Sequence, residues 1–530
     1  MNKLLRKIRC RAVENYYLLS AVLFFFSFPS YDFFLFKGYP FFAWICMVPL
    51  FVFIRNRPLR KVYTSILLTF LIGSILCFGW MRAFGAAAPD GQLVVLLFLM
   101  PALALLFSAK VFLSEYFSRK NEIFRFFIFP AMWVLFDFLQ SVGYLAFPWT
   151  YLGYSQHAFL PLIQIASITG VFGVTFLILC INTLVADVVY AKISGETINR
   201  RAVIVPAAIT VFLLVSAVVF GVIRLSLNGE KNGKTMKVAV VQSCISPWED
   251  WERNKFRYLT ELFRISDEAL KTNPDFLIWS ESATLEPMSF RLLHNIPSPF
   301  DERISSYAAE HSIPLLTGEI GIVRTERGIY QPQNNSILFS ANGKVADTYS
   351  KIHLAPFGEW FPYDRIMPWV TDLTLSMGGS IFIPGASTPV FSVNGLRFGN
   401  LICYESMFFR LNREYARKNV DFLINITNDG WSSSYGGHYQ HFSASPFRAV
   451  ETGRWYIRAG NTGVTTVIDP KGRYKEDLPI LSKGFITADI NTGLNRVTLY
   501  SRIGDMFTGL IVCMLFAVIA VPAFRRKITK

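Results

Sequence analysis

Apolar and polar positions divide this chain into two unlike parts. Through residue 227, apolar runs follow one another at close to the length of about 20 residues that crosses a bilayer as a helix. They lie at 17–30, 40–54, 62–83, 92–116, 124–142, 161–190 and 202–226, with an eighth at 506–524. The first two are short and separated by Pro29-Ser30-Tyr31-Asp32, so one broken hairpin is the alternative to two of the eight spans counted. From 235 to 495 the pattern changes. Short apolar runs bounded by turn residues occur at 237–242, 276–279, 314–318, 335–339, 396–403 and 421–426, and helical stretches lie between several of them at 251–272, 301–311 and 407–419. Strands alternating with helices predict an α/β layered domain. The expected organisation is seven spans in 1–230, a folded domain over 231–497, and a last span with its tail over 498–530.

Composition agrees with a membrane protein: 52% of residues are apolar and 17% charged, against roughly 25% charged in an ordinary globular chain. The net charge of +15 would by itself suggest nucleic acid, but the basic residues are grouped beside the spans. Lys3, Arg6, Lys7, Arg9 and Arg11 precede the first; Arg55, Arg57, Arg60 and Lys61 follow the second; Arg119, Lys120 and Arg125 follow the fourth. Lys192, Arg200 and Arg201 follow the sixth, and Arg525, Arg526, Lys527 and Lys530 end the chain. These segments alternate with basic-poor ones, which predicts both termini in the cytoplasm and the 231–497 domain outside it, with no nucleic-acid partner. The N-terminus reads as an uncleaved signal-anchor. One outer loop, Phe147-Pro148-Trp149 with Tyr151 to Gln156, is aromatic and uncharged. It is either an interfacial belt or the floor of a site for a lipid-derived substrate.

The candidate chemistry lies in the outer domain. The run 396–403 ends on Cys403 with Glu405 two residues on, 276–279 leads to Glu281, and Lys351 and Glu359 flank a Pro/Gly turn. A carboxylate can take a thiol proton, the thiolate can attack a carbonyl, and an ammonium can hold the resulting oxyanion. The plain alternatives are core packing for Cys403, surface charge for Glu281 and Lys351, and a disulfide between Cys403 and Cys244, the other outer-domain cysteine. The six histidines, His438 and His441 among them, form no zinc-binding spacing, and no phosphate or dinucleotide loop stands out, so no metal and no cofactor are expected.

In their strand and turn contexts, Glu281, Lys351 and Cys403 resemble the Glu-Lys-Cys triad of the nitrilase (carbon–nitrogen hydrolase) superfamily. With the eight-span membrane part, the chain looks like the apolipoprotein N-acyltransferase family. The most specific matches are Phe147-Pro148-Trp149, Gly153-Tyr154-Ser155-Gln156, Lys351-x-His353-Leu354-x-Pro356-Phe357-Gly358-Glu359, Cys403-Tyr404-Glu405, Thr427-Asn428-Asp429, and Gln440-His441 with Arg448-Ala449 and Glu451. The resemblance implies an α-β-β-α sandwich on a polytopic helical membrane domain, with Glu281 as base, Lys351 as oxyanion holder and Cys403 as nucleophile. It implies supporting roles for Glu359, Glu405 and Tyr404, and substrate-binding roles for Trp251 and Trp149. The implied partners are a phospholipid acyl donor, typically phosphatidylethanolamine, and a diacylated apolipoprotein acceptor, met by a monomer in the bacterial inner membrane with its catalytic domain periplasmic. Two departures stand out. Ser280 replaces the family's usual proline before the base, and Asp137 and Gln140 replace a Glu and Arg in the fifth span, which puts an ion pair there in question. A membrane-tethered amidase and a transporter or receptor with an outer binding domain are the rival classes. The glycine-containing segment 365–388 is the candidate lid.

Overall fold

The structure, a computed structural model, describes residues 14–29, 38–85, 93, 95–143, 145–195, 200–227, 233–325, 328–356, 358–361, 366–376, 380–432 and 434–528. The N-terminal basic residues, Lys530 and Met377-Gly378-Gly379 of the candidate lid lie outside the described residues.

Among the described residues, four helices are long and apolar enough to cross a membrane: Leu59–Arg82, Val95–Ser118, Val171–Ser194 and Val203–Ser226. Shorter apolar helices occupy Tyr16–Ser27, Pro40–Ile54, Leu160–Thr169 and Met506–Ala520, and Arg125–Gln140 is a further helix of 16 residues. One open reading is settled here and one expectation changes. The first two runs fold back on each other, with the Tyr39 N–H donating to the Phe26 carbonyl at 2.8 Å. The run 161–190 is not one helix. It breaks at Gly170, whose φ of +65° ends one turn before Val171 opens the next. The Tyr500 ring lies 2.9 Å from where a Cβ would stand there, so both the backbone and the space require glycine.

The spans also carry more pairing than their sequence suggests. Lys110 donates to Asp137 and, at 3.0 Å, to Gln140 Oε1, across two neighbouring helices. The partner of Asp137 therefore comes from another span, which a motif confined to the fifth could not show. A second network joins Arg55, Asp187, Arg125, Glu115 and Arg119 at the helix ends away from the folded domain.

The folded domain is two six-stranded sheets. The first contains β1 (Thr235–Gln242), β2 (Phe276–Ile278), β3 (Leu315–Arg324), β4 (Tyr330–Phe339), β5 (Val345–Ser350) and, at the edge beside β1, β12 (Gly484–Asn491). The second runs β6 (Val390–Val393), β7 (Leu396–Ile402), β8 (Phe422–Thr427), β9 (Trp455–Gly460), β10 (Thr465–Ile468) and β11 (Tyr474–Leu478). In each sheet three central strands are parallel, β1-β2-β3 and β7-β8-β9, and the outer pairings are antiparallel.

Alternation along the strands builds the layers. Val238, Val240 and Ile278 of the first sheet meet Phe398, Ile402, Phe422, Ile424 and Ile426 of the second in an apolar inter-sheet core. The opposite face of the first sheet, with Ala239, Val241 and Leu277, is covered by helices Trp251–Leu270 and Pro299–Glu310 through Leu259, Leu262, Phe300 and Ile304. The opposite face of the second sheet, with Leu401, Leu423 and Tyr456, belongs to one hydrophobic cluster that runs on into the membrane helices. The result is an α-β-β-α sandwich whose last helical layer is continuous with the membrane part.

The buried Lys110–Asp137 pair makes a prediction. Lys110→Met leaves Asp137 uncompensated and is expected to destabilise the detergent-solubilised protein by about 3 kcal/mol or more, while Lys110→Met with Asp137→Leu recovers most of it. Thermal unfolding of the single and double variants measures this; equal loss in both would contradict the pairing.

Candidate active site

Both parallel strand sets end on the same edge of the sandwich, and the candidate residues are at those ends. Cys403 follows β7 directly and has φ +52°, a left-handed conformation that costs a non-glycine residue energy unless its surroundings impose it. They do. The next residues form the 3-10 turn Cys403–Met407, from which the buried Glu405 side chain folds back. Glu405 Oε2 accepts the Ile402 N–H at 2.7 Å, and Oε1 accepts the Tyr349 hydroxyl at 2.7 Å and the N–H groups of Ile352 and His353 at 2.7 and 3.1 Å. One carboxylate thus ties the cysteine turn to the segment carrying Lys351. Burial pushes the Glu405 carboxyl up to about 7, against the pull of these donors.

Glu281 follows β2, and Lys351 follows β5. Both are buried. Glu281 Oε1 accepts from Asn334 Nδ2 at 2.8 Å and lies 3.4 Å from Lys351 Nζ; Oε2 accepts the Asn428 N–H at 2.6 Å. Lys351 Nζ donates to Glu359 Oε1 at 2.8 Å, and the other Glu359 oxygen accepts the Ala355 N–H at 2.8 Å. Burial raises the Glu281 carboxyl above the usual carboxylate range, with Lys351 opposing and Glu359 adding to the rise. Burial pushes Lys351 down, but Glu359, Glu281 and Cys403 outweigh it, so its ammonium is held above its ordinary value. Burial and then Glu281 push the Cys403 thiol up, and Lys351 offsets them in part. The thiol is therefore protonated at neutral pH and needs a base beside it. Glu281 is a buried carboxylate whose charge acts on that thiol.

A second network lies on the other side of Cys403. His441 Nδ1 is 2.7 Å from Asp429 Oδ1, and its Nε2 is 2.9 Å from Ser406 Oγ and 3.2 Å from the Cys403 carbonyl. Arg458 donates to Asp429 Oδ2 at 2.7 Å and to Asn425 Oδ1 at 2.8 Å, and Asn425 donates to the Cys403 carbonyl at 3.1 Å. Ligand atoms of Cys403, Asp429 and His441 lie within 4.8 Å of one another. A metal ion there would have to displace Arg458 and break the Asp429–His441 bond, so the donors are already satisfied internally. Cys403 and Cys244 are both free thiols.

The aromatic outer loop joins this site. Trp149 stacks on Tyr404 at 6.0 Å and on His441 at 5.3 Å, and its Nε1 donates to Gln440 Oε1 at 3.0 Å. The Tyr404 hydroxyl donates to the Ala146 carbonyl at 2.8 Å, and Gln440 Nε2 donates to the Cys77 carbonyl at 2.8 Å. Trp251 is placed differently. It bonds Glu286 at 3.0 Å and packs on Tyr258 and Phe300 in the outer helical layer of the first sheet. The candidate lid is partly anchored, since the Gly385 N–H donates to the Lys351 carbonyl at 2.7 Å and the Phe382 N–H to the Glu359 carbonyl at 2.9 Å. Sequence reading missed Asn334 and Arg458. The signal for Arg458 was a charged side chain inside the otherwise apolar strand Trp455–Gly460, which demands a buried partner; Asn334 lies in the polar run 331–336 of β4, where nothing in the sequence marks one residue over its neighbours.

The comparisons with known proteins match both parts of the chain. A family model described as apolipoprotein N-acyltransferase N-terminal domain matches residues 20–184, and one described as carbon–nitrogen hydrolase matches 237–498. The apolipoprotein N-acyltransferase of Geobacter metallireducens is 33% identical over 523 residues, covering 96% of this chain and 95% of its own. The chain belongs to the apolipoprotein N-acyltransferase family. The Borreliella burgdorferi member is 27% identical and covers 90% of each chain. Among solved structures, an amidase from Nesterenkonia sp. AN1 is 20% identical and covers 48% of this chain and 93% of its own, with a TM-score of 0.35. As a member of the apolipoprotein N-acyltransferase family the chain is an acyltransferase with a nitrilase-like α/β domain, associated with the membrane through its apolar helices.

The raised Glu281 carboxyl fixes a pH dependence. As pH falls through its folded value, Glu281 takes up a proton and can no longer accept the thiol's. Alkylation of Cys403 by iodoacetamide is expected to fall on the acid side of a pH displaced upward from the usual carboxylate range. Glu281→Gln should abolish that limb and leave only the slow rise toward the thiol's own high value, with a loss of about 100-fold or more near neutral pH. An unchanged profile in Glu281→Gln would contradict the assignment.

Proposed function

We propose that the chain moves an acyl group from a membrane phospholipid, with phosphatidylethanolamine as donor, through a thioester on Cys403 to the N-terminal α-amine of a diacylglyceryl-cysteine apolipoprotein. One observation carries this reading: the turn holding Cys403 and the aromatic membrane loop are hydrogen-bonded and stacked through Tyr404, Trp149, Gln440 and His441. A nucleophile at the junction of domain and bilayer suits substrates that never leave the lipid. A tethered amidase has no use for it.

In the first half-reaction Glu281 takes the Cys403 thiol proton and the thiolate attacks the ester carbonyl. The Lys351 ammonium balances the developing oxyanion. Collapse expels the glycerol oxygen of the lysophospholipid, which takes the proton from Glu281. In the second half, the acceptor amine attacks the thioester and loses its proton to Glu281; collapse forms the amide, and the thiolate is reprotonated. Glu359 holds Lys351, and Glu405 and Tyr404 hold the nucleophile's turn. Trp149 borders the acyl chain at membrane level. No metal and no cofactor are required, and the protein works as a monomer.

The same reading includes eight crossings, with 1–230 and 498–530 as membrane parts around a catalytic domain at 231–497. Both termini then face the cytoplasm of a bacterial cell and the catalytic domain faces the periplasm. The convergence of Arg55, Arg119 and Arg125 at the helix ends away from the catalytic domain supports this orientation.

The test is transfer. Purified protein given phosphatidylethanolamine labelled in its acyl chains and a diacylated lipopeptide is expected to yield N-acylated lipopeptide. Release of free fatty acid with no labelled lipopeptide would favour the amidase and sink the proposal.

A further inference from the structure

The helix Phe409–Arg417 begins six residues after Cys403 and lies against the ends of two apolar helices. The Arg410 guanidinium covers the Phe138 ring at 4.6 Å, one turn from the end of Arg125–Gln140. Arg410 and Arg413 reach Asp505 at 3.3 and 3.1 Å, and Asp505 immediately precedes the apolar helix Met506–Ile528. Leu139, Met506 and Leu510 beside them are exposed. The helix therefore lies at the level where these two apolar helices end.

One face of this helix is basic. Arg410, Arg413, Glu414 and Arg417 follow the i, i+3, i+4, i+7 spacing that puts side chains on a single side. With Lys418 they line an open cleft of about 390 Å³. Its charges do not cancel. Asp505 serves Arg410 and Arg413, and Glu414 serves Lys418 at 3.1 Å, while Arg417 is exposed and has no carboxylate or hydrogen-bond partner among the described residues. Four cations face two carboxylates on the side of the membrane part where the connections are otherwise poor in basic residues.

We propose that this cleft binds the phosphodiester of an anionic glycerophospholipid headgroup, with Arg417 and Arg410 as its main ligands. Arginine suits that group because its planar fork meets two phosphate oxygens at once. The exposed Leu139, Met506 and Leu510 then border the lipid's acyl chains. Such a lipid seats the helix that follows the nucleophile's turn on the membrane surface. The proposal rests on the placement of the helix and stands apart from the acyl-transfer chemistry.

The experiment uses the full chain in phosphatidylcholine nanodiscs containing a minority of phosphatidylglycerol, with retained lipid counted by native mass spectrometry. The wild-type chain is expected to hold phosphatidylglycerol in preference to phosphatidylcholine. Arg417→Gln should lower that preference about fivefold, the effect of one basic residue at a membrane surface, and Arg410→Gln/Arg417→Gln should lower it further. Arg417 is exposed and unpaired among the described residues, so its variant retains the fold, which thermal unfolding verifies; Lys344→Gln, in the turn between β4 and β5 and outside the cleft lining, is the control. An unchanged preference in Arg417→Gln, or an equal fall in Lys344→Gln, overturns the proposal. Displacement of the lipid by inorganic phosphate would mark a free-anion site and overturn the headgroup assignment.

Discussion

The carboxylate of Glu405 is the constraint on which the site depends. It comes from the residue two after Cys403, yet all four of its hydrogen bonds go elsewhere or backward in the chain: to Tyr349, Ile352 and His353 of the lysine segment, and to Ile402 before the cysteine. The left-handed backbone of Cys403 and the approach of Lys351 are thus two results of one buried group. Each bond to a charged acceptor is worth about 1.5–3 kcal/mol, enough together to impose a backbone conformation costing about 1–3 kcal/mol. The Cys403 turn is thereby tied to strands of both sheets.

Around that point the two charged clusters divide the work. Glu281, Lys351, Glu359 and Asn334 form a closed set in which every oxygen of Glu281 and Glu359 has a donor. Asp429, His441 and Arg458 hold the Cys403 carbonyl from the opposite side. Because Trp149 stacks on both His441 and Tyr404, the membrane loop contributes directly to the wall of the site. The shared hydrophobic cluster beneath the second sheet has the same consequence on a larger scale: the second sheet and the apolar helices pack on one common core.

Much of this was legible in the sequence because the chemistry follows buried parallel strands. The apolar runs before Glu281, Cys403 and Asn428 are the very signal that locates strand ends. Lys351 was legible from its turn. What the sequence hid was of two kinds. Edge strands such as Tyr474–Leu478 carry exposed charged residues and so lack an apolar face. Networks such as Asp429–His441–Arg458 and Lys110–Asp137 join residues on separate elements, so no spacing along the chain encodes them. The long run 161–190 misled for a third reason, since composition sets the apolar length but one glycine, fitted to the Tyr500 ring, sets where the helix starts.

The central claim is that Cys403 carries the acyl group at the membrane surface. The most direct measurement is peptide mass spectrometry of the protein after incubation with labelled phospholipid and no acceptor. The account predicts one hydroxylamine-sensitive acyl group on the peptide containing Cys403, absent from Cys403→Ala. Acyl label that persists in Cys403→Ala, or that resists hydroxylamine, would contradict it.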